Sequence, residues 1–315
     1  VPVLFTDSDG TVSEAQVEIN IDDGLDPAIA SPDELRVSEA DIATGAALAS
    51  EVIFGVSGSD AIGAINVTLA NTVFTSDGRT ITLVNTSPIT WEGQASTGTG
   101  STEVIFTLAI TPNGNTDFEL KAAIKHAPPP SGTASDENDA TIEFTVEGLD
   151  FDGDSTGIQN LVVNVTDGIP VSPVYDPSAL PELTEGEVAN GNLFTDANVL
   201  TQGSFGPDGG DIFKIVYDNI NYRFVADTSD TSAIVSDPIV IELKELTLKY
   251  GTLTIQSNGD YVVQADNVIN LAGSDFPDQI SYDFWDNDGD ASTGNVYKFK
   301  VVDGQGAIFL SPSEL

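Results

Sequence analysis

Residues 149–168 read LDFDGDSTGIQNLVVNVTDG, and the fold is decided by how this stretch alternates. Asp150, Asp152 and Asp154 occupy every second place of an Asp-x-Asp-Gly-Asp loop. Beyond it, Leu161, Val163 and Val165 alternate with Val162 and Asn164. A two-residue apolar period marks a strand with one face in a core and the other turned away from it. Asp167-Gly168 then closes the strand with turn chemistry.

The plan occurs three times. Residues 5–24 are FTDSDGTVSEAQVEINIDDG and residues 285–304 are WDNDGDASTGNVYKFKVVDG. Val17, Ile19 and Ile21 in the first copy, and Tyr297, Phe299 and Val301 in the last, stand where Leu161, Val163 and Val165 stand in the middle one. The interleaved positions are Glu18 and Asn20, then Lys298 and Lys300. The first aspartates of the loops lie 143 and 136 residues apart. DGLDPAIASPDEL at 23–35 also aligns without a gap to DGQGAIFLSPSEL at 303–315. The expected organisation is a tandem array. Residues 1–24 would be the C-terminal hairpin of a preceding module, 25–168 a first complete module, 169–304 a second, and 305–315 the start of a following one. The lack of any methionine agrees with an internal piece of a longer protein.

Between these landmarks the chain is short alternating runs broken by turn residues. The first module has ITLVNT, STEVIFTLAI, DFELKAAIK and ATIEFTVEG. The second has IFKIVYD, NYRFVAD, IVIELKEL, GTLTIQ, YVVQA and QISYDFW, with Ser257-Asn258-Gly259-Asp260 as a hairpin turn. This spacing predicts an all-β fold of tandem immunoglobulin-like antiparallel β-sandwich modules. Residues 39–52, EADIATGAALASEV, read as a short helical turn or a loop.

Composition narrows the chemistry. The 315 residues carry 50 acidic and 10 basic side chains, a net charge of −40, which repels nucleic-acid phosphate and anionic membrane surfaces. Hydrophobic residues make up 40%, enough for real cores and unlike an acidic disordered tail. Cysteine is absent, which removes disulfides and thiolate metal sites. No apolar run approaches the ~18 residues of a membrane span. The single histidine, His126 in AIKHAPPPSG, reads as a surface residue where a strand leaves for a rigid loop. Trp91 and Trp285 read as core residues, Trp91 alternatively as a platform for a sugar. No nucleophile–base pair, phosphate loop or dinucleotide motif is present, so no enzymatic activity is expected.

Oxygen ligands remain abundant, 33 of the 50 acids being Asp. Alternate side chains of an extended segment share one side, and two carboxylates ~4 Å apart repel by about 4 kcal/mol at an effective dielectric of ~20. Such a loop splays or binds a cation, and calcium's tolerance of irregular oxygen ligands suits a hairpin. The predicted ligands are Asp150, Asp152 and Asp154, then Asp286, Asp288 and Asp290, with Asp7 and Asp9 as a partial copy. The loop is not an EF-hand: its glycine is at position four and Leu161 stands at position twelve. A second tier, Asp23, Asp167 and Asp303, ends a core strand just before each linker, with Glu39 and Glu185 shortly after the first two. A cation shared there would convert a flexible string into a rod. The Asp-Gly pairs read equally as plain turn chemistry.

The Asp-x-Asp-Gly-Asp loop, the alternating strand, the closing Asp-Gly and the period of about 143 residues resemble the repeats of large type I-secreted (RTX) adhesins of Gram-negative bacteria. FGPDGGDIFKIV and GTLTIQSNGDYVV are similar to cadherin-like and VCBS-type repeats. The GGxGxDxUx array is missing, with a lone echo at Gly206–Asp211. The resemblance implies a calcium-binding extender of a cell-surface adhesin, extracellular and monomeric. Its partners would be neighbouring modules of its own chain, and its role adhesion and biofilm formation. The alternative function is a calcium-dependent carbohydrate- or peptide-binding module, with residues 25–168 as the binder. A halophilic protein, acidic for solvation alone, is a third reading.

Overall fold

The structure is a computed structural model and describes residues 2–20, 34–52, 61–127, 139–223, 246–266 and 276–302. The expected strand IVIELKEL up to residue 245, Ile21, Asp23 and Asp303 lie outside these residues. The chain is all-β, built as tandem immunoglobulin-like sandwiches.

An N-terminal hairpin pairs β1 (Pro2–Thr6) with β2 (Val12–Gln16). The first sandwich contains β3 (Leu35–Ser38), β4 (Leu48–Val52), β5 (Ile62–Leu69), β6 (Ile81–Ser87), β7 (Thr90–Ser96), β8 (Thr102–Ile110), β9 (Asn115–Leu120), β10 (Asp139–Asp150) and β11 (Ser155–Thr166). One sheet has the order β3-β11-β10-β5 and the other β4-β9-β8-β7-β6. Next come β12 (Val174–Tyr175), β13 (Glu182–Thr184), β14 (Val188–Asn192), β15 (Val199–Thr201), β16 (Gly210–Tyr217), β17 (Ile220–Arg223), β18 (Leu246–Leu248), β19 (Gly251–Ile255), β20 (Asp260–Ala265), β21 (Phe276–Asp286) and β22 (Ala291–Val302). They form the second sandwich, with sheets β13-β22-β21-β16-β17 and β14-β20-β19-β18 and a small β12-β15 ribbon. Pairing is antiparallel except where an early strand of each sandwich meets its last, β3 with β11 and β13 with β22.

Alternation buries what it should. Leu161, Val163 and Val165 are wholly buried, and Tyr297, Phe299 and Val301 nearly so. Two separate cores result. The first centres on Phe106, Phe118 and Phe144, whose ring centroids lie 5.3, 5.7 and 6.5 Å apart. The second holds Tyr282, Phe284, Tyr297 and Phe299, with the Tyr261 and Tyr297 hydroxyls both donating to the Asp196 carboxylate.

Two expectations are corrected, and a third is met in its first half. In the first copy the strand stops at Gln16, and Val17 and Ile19 are exposed outside it; among the described residues no second sheet lies against this hairpin, so alternation there has nothing to bury. Trp285 is half-buried and stacked on Phe213 at 4.5 Å, on the face opposite the wholly buried Phe284. Residues 39–52 are both helical and extended: Glu39–Thr44 form a 3₁₀ turn capped by Gly45, and β4 follows.

Phe144→Ala removes a ring from the centre of the first core. It is expected to cost about 3–5 kcal/mol, read as a lowered denaturation midpoint of the chain.

Candidate metal centre

Hairpin registry builds the acidic loops. β10 and β11 are joined at 150–154, and β21 and β22 at 286–290. In both, the fourth residue is a glycine with positive φ, +105° at Gly153 and +111° at Gly289, a conformation that favours glycine. The turn folds back on its first aspartate. Asp150 Oδ1 accepts the N–H groups of Asp152, Gly153 and Asp154 at 3.2, 2.8 and 2.8 Å. Asp286 Oδ1 accepts those of Gly289 and Asp290 at 3.0 and 2.8 Å. The structure thus brings together each predicted trio, with ligand atoms within 4.8 Å of one another.

The two loops sit in opposite surroundings. Asp152 and Asp154 are exposed, and contact with Asp152 together with the backbone donors holds Asp150 below the usual carboxylate range. Asp286, Asp288 and Asp290 are all buried. Burial first, then the neighbouring Asp288 carboxyl, pushes Asp286 up to about 9. The partial copy is simpler. Asp7 Oδ1 accepts from the N–H groups of Asp9 and Thr11, Asp9 Oδ1 from the N–H and hydroxyl of Thr11. Thr11 stands where the other loops have a third aspartate, and no metal-sized group forms there among the described residues.

What buries the second loop is the end of the first sandwich. Parallel pairing sets Ser38 opposite Thr166, so the next residues, Glu39 and Asp167, emerge side by side. Antiparallel pairing of β16 with β21 sets Gly210 opposite Asp286, which places the preceding turn, with Asp208, beside the 286–290 loop. Asn287 fastens it: its N–H donates to Gly209 O at 3.2 Å and its side-chain amide to Asp208 O at 2.6 Å. Glycines let the sandwiches meet. A Cβ at Gly168 would strike Pro207 at 2.5 Å, and one at Gly206 would strike Gly168 O at 2.4 Å. The linker is pinned to the second sandwich, Val171 and Ser204 exchanging backbone hydrogen bonds of 2.8 and 2.9 Å.

Six buried acids therefore face one another across the junction: Glu39 and Asp167 from the first sandwich, Asp208, Asp286, Asp288 and Asp290 from the second. They form overlapping sets, with Asp167 and Asp288 joined by Asp208 in one of them. Both carboxylate oxygens of Asp167, Asp208 and Asp288, with Oδ2 of Asp286 and Oε2 of Glu39, are buried and accept no hydrogen bond among the described residues. Buried charged oxygens without donors are strongly unfavourable unless a cation meets them. Burial and the charge of Asp288 push Asp167 up to about 7, partly offset by His126. Burial and then Glu39, Asp288 and Asp167 push Asp208 up to about 9. A cavity of about 730 Å³ opens beside the cluster, lined by Ile42, Ile105, Ile169 and Pro207 as well as Glu39 and Asp208, and gives an ion a way in.

The histidine belongs to this cluster, not to the surface. His126 is 2% exposed, with Nε2 3.1 Å from Glu39 Oε1. That oxygen also accepts the Ile124 N–H at 2.8 Å. Burial drives His126 down, but the hydrogen bond and charge of Glu39, with Asp167 and Asp288 behind it, more than offset this and its pKa lies above the ordinary imidazole value. Trp91 is 3% exposed, leaving no ring face for a sugar. Asp208 and His126 were missed because neither lies in a repeated motif. The pairing of Glu39 with Asp167 follows from a parallel register that alternation alone does not reveal.

No protein-family model matches the chain, and no curated protein matches it. Solved structures similar to it include the titin domains Z1Z2 in complex with telethonin, at 12% identity over 89% of this chain and 98% of that one, with a TM-score of 0.31. Drosophila N-cadherin EC1-3 is similar at 10% identity over 88% and 65%, with a TM-score of 0.27. The antigen BSR4 of Toxoplasma gondii is similar at 11% identity over 89% and 94%, with a TM-score of 0.30. Whole-chain likeness this loose carries no weight, and the fold assignment stands on sheet order and register.

Asp167, Asp208 and Asp286 all have folded-state pKa values above the ordinary 3.8. Their contribution to the metal-free fold is complete below about pH 4 and is lost as pH rises through about 7 to about 9. With a chelator present, the melting temperature is expected to fall across that window, and a bound divalent cation to flatten the fall.

Proposed function

We propose that the chain is a calcium-stabilised extracellular segment of a large bacterial surface adhesin, in which successive sandwiches are locked end to end to project or support a ligand-binding region. The observation that carries this reading is the set of donor-less, buried carboxylates supplied by both sandwiches at one junction. Oxygen-only ligands in irregular loops fit calcium, which accepts six to eight of them, better than magnesium with its octahedron. Asp167 and Asp288 each belong to more than one ligand set, so they would bridge neighbouring ions and the junction would hold more than one.

Registry extends the proposal along the chain. In the second sandwich, Thr184 pairs with Val302, and the Glu185 N–H donates to Val302 O at 3.0 Å. Glu185 thus stands where Glu39 stands, and Asp303 would meet it as Asp167 meets Glu39. At the other end, Asp150, Asp152 and Asp154 occupy the places of Asp286, Asp288 and Asp290. Asp23 is their proposed complement, and Asp7 and Asp9 would serve the module before. The −40 charge and the RTX-like repeats support placing the chain outside the cell, attached to the surface after type I secretion. No helix among the described residues is long and apolar enough to cross a membrane. Its partners are then neighbouring modules of its own chain.

The test is thermal unfolding with calcium, with magnesium and with EGTA at matched ionic strength. Calcium alone is expected to raise the melting temperature, each site adding about 2.7 kcal/mol at a hundredfold excess over its dissociation constant. Identical curves in all three would sink the proposal. Asp288→Asn sharpens it with a change of sign. The substitution relieves repulsion, so in EGTA the variant is expected to melt above the unmodified chain, and in calcium below it.

A further inference from the structure

The junction carries one ligand unlike the rest. Asp167, Asp208 and Asp288 form one all-oxygen set and Asp286, Asp288 and Asp290 another, but the set at the first sandwich's own end is Glu39, His126 and Asp167. All three are buried: Glu39 is 0%, His126 2% and Asp167 3% exposed. They reach one point from three elements: the start of the 3₁₀ turn after β3, the segment after β9, and the end of β11. The segment after β9 is fixed by hydrogen bonds from the two residues that precede the histidine. Lys125 N–H donates to Phe74 O at 2.9 Å, and Ile124 N–H to Glu39 Oε1.

Donor chemistry separates this set from its neighbours. Calcium takes oxygen ligands, whereas imidazole suits zinc and the later first-row ions. The geometry accommodates an ion. His126 Nε2 and Glu39 Oε1 are 3.1 Å apart in the hydrogen bond described above, and two ligands each ~2.0–2.1 Å from a tetrahedral ion stand about 3.3 Å apart, so an ion that displaces the shared proton needs little movement of either side chain. Glu39 Oε2 and both oxygens of Asp167 are buried and accept no hydrogen bond among the described residues. Three protein ligands leave a fourth place for a water, which the adjoining cavity admits.

We propose that Glu39, His126 and Asp167 form a separate subsite for a zinc-class divalent ion, with Asp167 as the carboxylate shared with the calcium sites. The junction is then a mixed-metal joint, whose rigidity depends on a trace transition metal as well as on calcium. This deepens the metal-junction reading and rests on it for the sharing of Asp167. Its test nevertheless separates the two.

The chain has one histidine and no cysteine, so any imidazole signature has a single source. The tag-free chain, labelled with ¹⁵N in the histidine ring, is titrated with Zn²⁺ with and without saturating calcium and followed by NMR. The imidazole nitrogen resonance is expected to move to a metal-bound position and to saturate at one equivalent. His126→Gln is expected to weaken Zn²⁺ binding by about 100-fold or more, since even outer-shell partners of metal ligands contribute 10–100-fold. An imidazole resonance that ignores Zn²⁺, or equal Zn²⁺ affinity in His126→Gln, overturns the proposal. If His126→Gln does not fold, the resonance of the unmodified chain decides alone. Zinc on the imidazole without any calcium-specific stabilisation would keep this subsite and sink the calcium reading. Calcium stabilisation with an unresponsive imidazole would do the reverse.

Discussion

Like charges pressed together out of water govern how this molecule is put together. Glu39, Asp167, Asp208, Asp286, Asp288 and Asp290 are buried at a single junction, and unit charges ~4 Å apart repel by about 4 kcal/mol even at an effective dielectric of ~20. Nothing local draws these side chains into one place. They are held there by hydrogen-bond registers, β3 along β11 and β16 along β21, which are held in turn by two aromatic and aliphatic cores. The cores therefore work against the junction as long as its charges are unmet. A cation reverses the sign of that arrangement, and the same registers then reinforce it.

Identical motifs can behave in opposite ways under that constraint. The Asp150 and Asp286 loops share spacing, glycine conformation and the fold-back onto the first aspartate. Yet Asp150 is held below the carboxylate range and Asp286 is pushed up to about 9. The difference is the cover. Asp152 and Asp154 meet solvent, while Asp288 and Asp290 meet Asp167 and its surroundings. The properties of such a loop belong to whatever closes over it.

Legibility in the sequence followed the range of the interaction. Strand faces could be read from Leu161, Val163 and Val165 because period-two burial is local, and the acidic trios because three alternating aspartates share one side of a loop. What could not be read depended on pairing between distant segments. Glu39 and Asp167 meet through a parallel register across more than a hundred residues, and Asp208 joins them only because one sandwich abuts the next. His126 offered no pattern at all, and its burial against Glu39 is a tertiary fact. Val17 and Ile19 kept the alternation but lost its meaning, since a strand face is a core face only where another sheet covers it. Trp285 erred in the other direction: its size suggested the core, while its register gave that place to Phe284.

The parallel pairing of an early strand with the last one has a consequence beyond its own hydrogen bonds. In the first sandwich it sets Glu39 beside Asp167 at one end, while the Asp150–Asp154 hairpin loop of the same sheet lies at the other, so that unit carries a plug and a socket of fixed polarity. Units of that build stack in one direction alone, so a row of them has a head and a tail.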